Sequence, residues 1–217
     1  MKYLLSILLS FFLLFSCGPR ERVSKSVFEE VNRSMEAKKL SDSQIIQEAM
    51  IWGDSISKEA QRQLMQSLHK AIEERGVAGA VGFCSDNAIP IIKELSDRYG
   101  VLIRRTSLRA RNSTNSPTDE EVPILEAYQY NAENSVENAS NIQKIEGGDV
   151  LLFTRAIVIS SEFCLACHGS ETNDIEKGVL SKIDSIYTND KAKGFSVGDL
   201  RGMWSLKIPK KAVVNRL

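Results

Sequence analysis

This chain has few histidines and cysteines, with two histidines and four cysteines among 217 residues, so few nitrogen or sulfur ligands for a metal are present. It also lacks an excess of charge of either sign, because 28 Lys and Arg are balanced by 28 Asp and Glu. We therefore expect no nucleic-acid partner, since such a partner needs a basic surface. The sequence has no internal repeat, and no apolar run reaches the roughly 20 residues of a membrane-spanning helix. With 42% hydrophobic residues, the composition is that of an ordinary globular domain.

The N-terminus has the features of a bacterial export signal. After a short basic segment, residues Tyr3 to Phe15 form an apolar run too short to cross a bilayer as a helix. The run ends in Leu14-Phe15-Ser16-Cys17, which resembles a lipobox, so we expect removal of residues 1–16 and lipidation of Cys17. Residues 17–40 would then be the lipidated cysteine and its tether, holding the protein to a membrane of the cell envelope on the periplasmic side. The alternative is a plain signal peptide.

The segment Cys164-Leu165-Ala166-Cys167-His168 is the attachment motif of c-type haem. The spacing of the two thiols matches the reach between the haem vinyl groups, and the adjacent histidine supplies a nitrogen ligand to the iron. One covalent haem c is therefore the predicted cofactor. Two alternatives are a redox or structural Cys-x-x-Cys pair, which leaves His168 unexplained, and a zinc site, which lacks a fourth ligand of matching spacing. Haem c is attached outside the cytoplasm in bacteria, which agrees with the export signal.

Two helices are predicted in the first half of the chain, after a short amphipathic segment at 26–39. The first begins at Ser41, which forms a capping box with Gln44, and apolar residues at spacings of three and four continue to a stop at Gly76. The second runs from Val77 to Tyr99, with a break near Pro90 because proline removes a backbone donor.

The second half is predicted to contain strands interrupted by helices. Thr118 is expected to cap a helix that ends near Asn134, and residues 135–148 are polar and end in a turn. The remaining predicted elements are strands at Val101–Leu108, Val150–Ser160 and Gly202–Ile208 and a helix at Ile175–Ile186. Helices first and then strands, without βαβ alternation, favour an α+β fold with an antiparallel sheet.

Five segments spread between about residue 40 and residue 209 together resemble the Tll0287-like haem domain family. They are Gly82-Phe83-Cys84-Ser85, Arg105-Thr106-Ser107-Leu108, Arg111-Asn112 with Asn115 and Pro117, Cys164 to Gly169, and Gly194-Phe195 with Gly198-Asp199-Leu200-Arg201-Gly202. The resemblance implies a PAS-like fold over residues 41–209, with an antiparallel sheet, flanking helices and a long N-terminal helix. Residues 210–217 would be a C-terminal tail. The resemblance also implies axial ligation of iron by one His and one Cys, and a redox- or gas-sensing role.

The resemblance assigns Cys84 as the second axial ligand of iron, opposite His168. The residues alone leave this position open among Cys84, His69, Met35, Met50, Met65 and Met203. Met203 is the runner-up, whereas His69 is expected to be a partly exposed helix residue far from the haem. Small residues before Cys84 would let a flat macrocycle approach the helix.

Several arginines are candidates to bind the haem propionates, because a planar guanidinium pairs well with a carboxylate. We predict this role for Arg105 and Arg201. Arg104, Arg109 and Arg111 lie in the same region. The alternatives are a solvated basic face, ion pairs with Glu120 and Glu121, and, for Arg201, an ion pair with Asp199.

Two functions fit these features, and we recognise no enzyme site. The preferred one is a sensor of redox state or of a diatomic gas, which would signal through a separate protein partner not identified by the sequence. The alternative is a mono-haem electron-transfer protein of the cell envelope. The two differ in whether ferrous haem keeps Cys84 as a ligand or releases it.

Overall fold

The computed structural model describes residues 24–35 and 40–217. The chain divides into two units, residues 1–39 and residues 40–217. In the first unit, helix α1 spans Lys25–Met35 and overlaps most of the predicted amphipathic segment 26–39. The predicted signal peptide and Cys17 lie outside the described residues. Where the chain is described, none of its helices is both long enough and apolar enough to cross a membrane.

Helix α2, Asp42–Tyr99, opens the second unit and consists of two arms that meet at Gly76. The predicted capping box is present, because Ser41 Oγ accepts from Gln44 N at 3.2 Å and Gln44 Oε1 accepts from Ser41 N at 2.9 Å. Gly76 has φ 69° and ψ 173°, a conformation that is essentially restricted to glycine. The second arm returns beside the first, since Leu95 and Ala60 belong to one buried cluster.

The break predicted near Pro90 is wrong, because the second arm continues through Pro90 to Tyr99. Buried Val81 and Leu95 lie on either side of the proline and anchor the arm at both ends. Tertiary packing therefore outweighs the hydrogen bond that proline cannot make.

Four strands form one sheet in the order β1-β4-β3-β2, with every neighbouring pair antiparallel. They are β1 Leu102–Thr106, β2 Asn141–Ile145, β3 Val150–Val158 and β4 Leu200–Pro209. The predicted α+β class and antiparallel sheet are confirmed. One face packs against α2 through residues that include Ile103, Phe153, Trp204 and Leu206. The other face packs against helix α3, Val122–Glu133, through Leu125, Tyr128, Leu152 and Met203.

Three shorter helices complete the unit: α4 Glu162–His168, α5 Lys177–Ile186 and α6 Lys210–Val214. Short 3₁₀ turns span Ser113–Asn115 and Glu146–Gly148. Helix α5 packs on the second arm of α2, where Val81 shares a buried cluster with Val179 and Ile183. This contact brings the second arm close to the helix that carries the Cys-x-x-Cys-His motif.

The structure contradicts three sequence predictions in polar segments. Strand β2 lies in the segment 135–148 that was expected to be only a polar connection, because an edge strand with exposed side chains lacks an apolar pattern. Thr118 does not cap α3; its backbone N–H donates instead to Glu121 Oε2 at 2.9 Å, and Glu121 is the residue that precedes the helix. The segment 210–217, expected to be a tail, begins with α6, whose Val213 is buried.

Candidate functional site

The Cys-x-x-Cys-His motif lies on α4, the short helix that follows β3. Cys164 and Cys167 are half-buried, and their spacing of three places them on one side of the helix. Cys164 packs against a cluster that contains Ala192 and Phe195, whereas Cys167 packs against the cluster that contains Val81 of α2. The motif therefore packs between the segment around Ala192 and the second arm of α2.

His168 ends α4 and has its ring fixed by a backbone carbonyl. Its Nδ1 donates to the carbonyl oxygen of Ala192 at 2.8 Å. Burial and the positive charges of Arg201 and Arg111 hold the pKa of His168 well below its ordinary value. The imidazole is therefore neutral with its proton on Nδ1, which leaves Nε2 with the lone pair that a metal ion needs.

The segment 190–195 is bound to the end of α4 along its length. Gly194 N donates to the carbonyl of Gly169 at 2.7 Å, and Phe195 N donates to the carbonyl of His168 at 2.9 Å. The Phe195 ring meets the His168 ring edge to face, with centroids 6.3 Å apart. His168 is thus held by three contacts: the bond to its carbonyl oxygen, the bond from its Nδ1, and the packing of its ring against Phe195.

Arg111 ties the same two pieces of chain together. Its Nη2 donates to the carbonyl of Cys167 at 2.5 Å and to the carbonyl of Ala192 at 3.2 Å. The guanidinium also pairs with Asp190 at 3.1 Å, and only 13% of the Arg111 side chain and 2% of the Asp190 side chain are exposed. These contacts occupy Arg111 with protein acceptors rather than leaving it for a propionate.

Arg201 and Arg105, the predicted propionate ligands, both lie close enough to lower the pKa of His168. Arg201 Nη1 donates to Ser107 Oγ at 3.1 Å and to the carbonyl of Arg109 at 3.2 Å, but its Nε is buried with no hydrogen-bond partner among the described residues. Burial, together with the charges of Arg111 and Arg105, lowers the pKa of Arg201 to about 9. Positive charge is therefore concentrated here, with Asp190 the carboxylate that acts against it.

Two other arginines are occupied by protein groups. Arg104 pairs with buried Glu121 at 3.3 Å and donates to the carbonyl of Ser116 at 3.0 Å, as the ion-pair alternative predicted. Arg109 lies over the ring of Phe195, 3.9 Å from its centroid, and donates to the carbonyls of Lys191 and Lys193. The alternative ion pair of Arg201 with Asp199 is not formed: Arg201 donates to Ser107 and Arg109, and Asp199 Oδ2 accepts from Ser196 N at 2.7 Å.

Arg155 is a residue that the sequence reasoning missed. It lies on β3 opposite Trp204, which in turn lies opposite Arg105 on β1. The Nε of Arg155 is buried without a hydrogen-bond partner in the described part of the chain, and burial lowers its pKa. The available signal was a single charged residue in the apolar strand Val150–Val158, at a position that alternation places on the same face as Phe153.

The structure separates the candidates for a second ligand opposite His168. Cys84 lies on the second arm of α2, three residues after Val81, which belongs to the same cluster as Cys167. The side chain of Cys84 lies outside the described residues, as does that of Met35. Met203 is fully buried against α3, on the opposite face of the sheet from α2, and Met50 packs against the main core.

His69 is not remote from the motif, which corrects the expectation from the sequence. Its ring meets that of Phe163, the residue before Cys164, with centroids 5.1 Å apart. Both side chains are exposed. The contact arises because α2 folds back at Gly76 and brings both of its arms to the motif.

Comparisons with known proteins agree with this architecture. The family model described as Tll0287-like matches residues 23–209. The chain is also similar to a solved structure, the crystal structure of the cyanobacterial heme-protein Tll0287, with 26% sequence identity and a TM-score of 0.51. The similarity covers 73% of this chain and 94% of that one. No curated protein matches this chain.

Proposed function

Because this chain belongs to the Tll0287-like family, we propose that it binds one haem c through thioether bonds from Cys164 and Cys167, with His168 as an axial ligand. The haem iron would supply one-electron chemistry and a position for a diatomic ligand. The observation that carries this proposal is the state of His168, a neutral imidazole whose Nδ1 donates to Ala192 at 2.8 Å. A disulfide role for the cysteines would leave that arrangement without a purpose, and within the described part of the chain no group of three or more His, Cys, Asp and Glu side chains could hold a zinc ion.

The charges around His168 suit a cofactor with two carboxylates. Arg201 is buried with an unpartnered Nε among the described residues, and Arg105 and Arg111 add to its positive surroundings. A buried cation without a counter-ion is costly, so a bound carboxylate would stabilise it. We assign Arg201 and Arg105 to the propionates.

We propose Cys84 as the second axial ligand, as the resemblance to the Tll0287-like family implies. Its place on the second arm of α2, next to the cluster that contains Cys167, supports this assignment. A thiolate stabilises ferric iron and binds ferrous iron less well. Reduction or a diatomic ligand would then release Cys84 from the iron, which supports a sensor rather than an electron-transfer protein.

The proposed location is the periplasmic side of the bacterial cell envelope, with a lipid on Cys17 as the anchor and a signalling or redox protein as partner. The motif at Leu14 to Cys17 carries this part of the proposal. Labelling with a fatty-acid analogue should modify the full chain but not Cys17→Ser. Equal labelling of both chains would contradict the lipid anchor.

The central experiment is a set of absorption spectra of the protein produced with c-type haem maturation machinery. Haem should stay with the polypeptide after denaturing extraction, and it should be lost from the Cys164→Ala/Cys167→Ala double variant. Extractable haem in the parent protein would overturn the proposal. Ferrous protein that binds CO readily supports the sensor, whereas covalent haem that refuses CO supports the electron-transfer alternative.

A further inference from the structure

We infer that Arg111 sets how strongly His168 donates electrons to the iron, through the Ala192 carbonyl that both side chains share. This inference rests on the proposed haem ligation by His168. It makes Arg111 a positioning and tuning residue, rather than one of the ligands of the propionates.

The shared acceptor is defined by two short contacts. The carbonyl oxygen of Ala192 lies 2.8 Å from His168 Nδ1 and 3.2 Å from Arg111 Nη2. A carbonyl oxygen has two lone pairs and accepts both bonds. One donor is neutral and the other is a cation, so the two compete unequally for the same electron density.

Asp190 holds the backbone N–H of Ala192, the residue whose carbonyl Arg111 and His168 share. Asp190 Oδ1 accepts from Ala192 N at 2.8 Å, while its Oδ2 pairs with Arg111 at 3.1 Å. Asp190 and Arg111 therefore hold both the N–H and the carbonyl of Ala192. Their burial limits the screening of these bonds by water.

The expected electronic effect follows from the competition at the carbonyl. The Arg111 guanidinium draws electron density from the Ala192 carbonyl oxygen, so this oxygen accepts the His168 Nδ1 proton less strongly. The imidazole therefore stays a weaker electron donor to the iron. Without Arg111 the Nδ1 hydrogen bond strengthens, the imidazole gains imidazolate character and ferric iron is stabilised. The midpoint potential of the haem should then become more negative.

Arg104 and Glu121 provide a matched control pair. They form a partly buried ion pair at 3.3 Å, and Arg104 also donates to main-chain carbonyls, as Arg111 does. Their side-chain hydrogen bonds go to each other and to Thr114, Ser116 and Thr118, not to His168 or Ala192. Removing this pair costs similar interactions without touching the carbonyl of Ala192.

The test compares two charge-neutral double variants of the haem-loaded protein, Arg111→Gln/Asp190→Asn and Arg104→Gln/Glu121→Gln. Spectroelectrochemical titration should give a more negative midpoint potential for the first and the parent value for the second. Arg111→Lys, which keeps a cation beside the carbonyl, should restore most of the parent potential. An unchanged potential in the first variant, or an equal shift in the control, would overturn the inference.

A second measurement keeps this inference separate from the haem proposal. In haem-free protein labelled with ¹⁵N, the parent His168 should show a proton on Nδ1. Arg111→Gln/Asp190→Asn should move that proton resonance downfield, because its hydrogen bond strengthens. Haem that is lost on denaturing extraction overturns the proposed function, while an unmoved proton resonance overturns only the role of Arg111.

Discussion

Ser107 and Arg201 are joined by two hydrogen bonds that run in opposite directions. Ser107 Oγ donates to the carbonyl of Arg201 at 2.7 Å and accepts from Arg201 Nη1 at 3.1 Å. This pair orients the buried guanidinium while its Nε stays without a partner among the described residues. In the proposed haem-bound protein, a propionate would supply the acceptor for this donor.

Arg201→Met should therefore act differently on the two forms of the protein. In haem-loaded protein we expect a loss of about 1.5–3 kcal/mol in the free energy of unfolding, the usual range for hydrogen bonds to charged groups. In haem-free protein the loss should be smaller, because removing a desolvated guanidinium offsets the bonds to Ser107 and Arg109. Urea unfolding of both forms measures the difference. Arg104→Met is the control and should cost the same in both forms; equal losses for Arg201→Met would argue against a propionate ligand.

Cys84→Ala should change the ferric absorption spectrum, because a thiolate ligand would be lost from the iron. Met203→Leu is the matched test of the runner-up, since Met203 is fully buried against α3. It should leave the spectrum unchanged and cost less than about 1.5 kcal/mol, as volume-conserving core substitutions do. The reverse pattern would make Met203 the ligand.

Tyr128 should make the fold sensitive to alkali. Burial raises its pKa above the ordinary value of about 10, against a hydrogen bond to Thr154 that lowers it. The folded state thus binds the phenolic proton more tightly than the unfolded state, so this contribution to stability is complete below pH ~10 and is lost as the pH rises through the raised pKa. Tyr128→Phe should cost about 1 kcal/mol at pH 7, and the cost should shrink above pH ~10.

Urea unfolding at pH 7 and at pH ~10.5 measures this change. Tyr130→Phe is the control, because Tyr130 is 65% exposed and its removal should have little effect at either pH. A cost for Tyr128→Phe that does not depend on pH would contradict the prediction.

Gly76→Ala should destabilise the protein by about 1–3 kcal/mol, although a Cβ at this position has open space around it. The cost comes from φ 69° and ψ 173°, which only glycine adopts readily. Gly178→Ala is the contrasting variant, because Gly178 lies in α5 with equal space for a Cβ. It should stabilise the fold by about 0.4–1 kcal/mol. Thermal unfolding of both variants decides the prediction, and two changes of the same sign would contradict it.

Much of the fold was predictable where local signals agree with packing. The capping box at Ser41, the interruption at Gly76 and the end of α2 before Gly100 depend on backbone preferences that neighbouring residues set. Strands β3 and β4 are apolar because they are central in the sheet. Strand β2 was missed because its side chains are mostly exposed, and Pro90 misled because burial on both sides holds its helix together.

The candidate site was predictable in its chemistry and less so in its contacts. Cys164, Cys167 and His168 are adjacent in the chain, so their spacing carries the prediction of haem c. Which arginine has which role depends on acceptors far away in the sequence. Arg111 meets Asp190, which lies 79 residues later, whereas Glu121 was among the partners expected for the nearby arginines and pairs with Arg104.

The sequence by itself determined the Cys-x-x-Cys-His motif, the α+β class and the two arms of α2, because each depends on residues a few positions apart. Only the tertiary structure decided that the Ala192 carbonyl accepts from His168, that Arg111 shares that carbonyl, and that His69 meets Phe163. These contacts join segments separated by tens of residues. They exist because α2 reverses at Gly76 and segment 190–195 binds the end of α4, and no local pattern specifies how such segments meet.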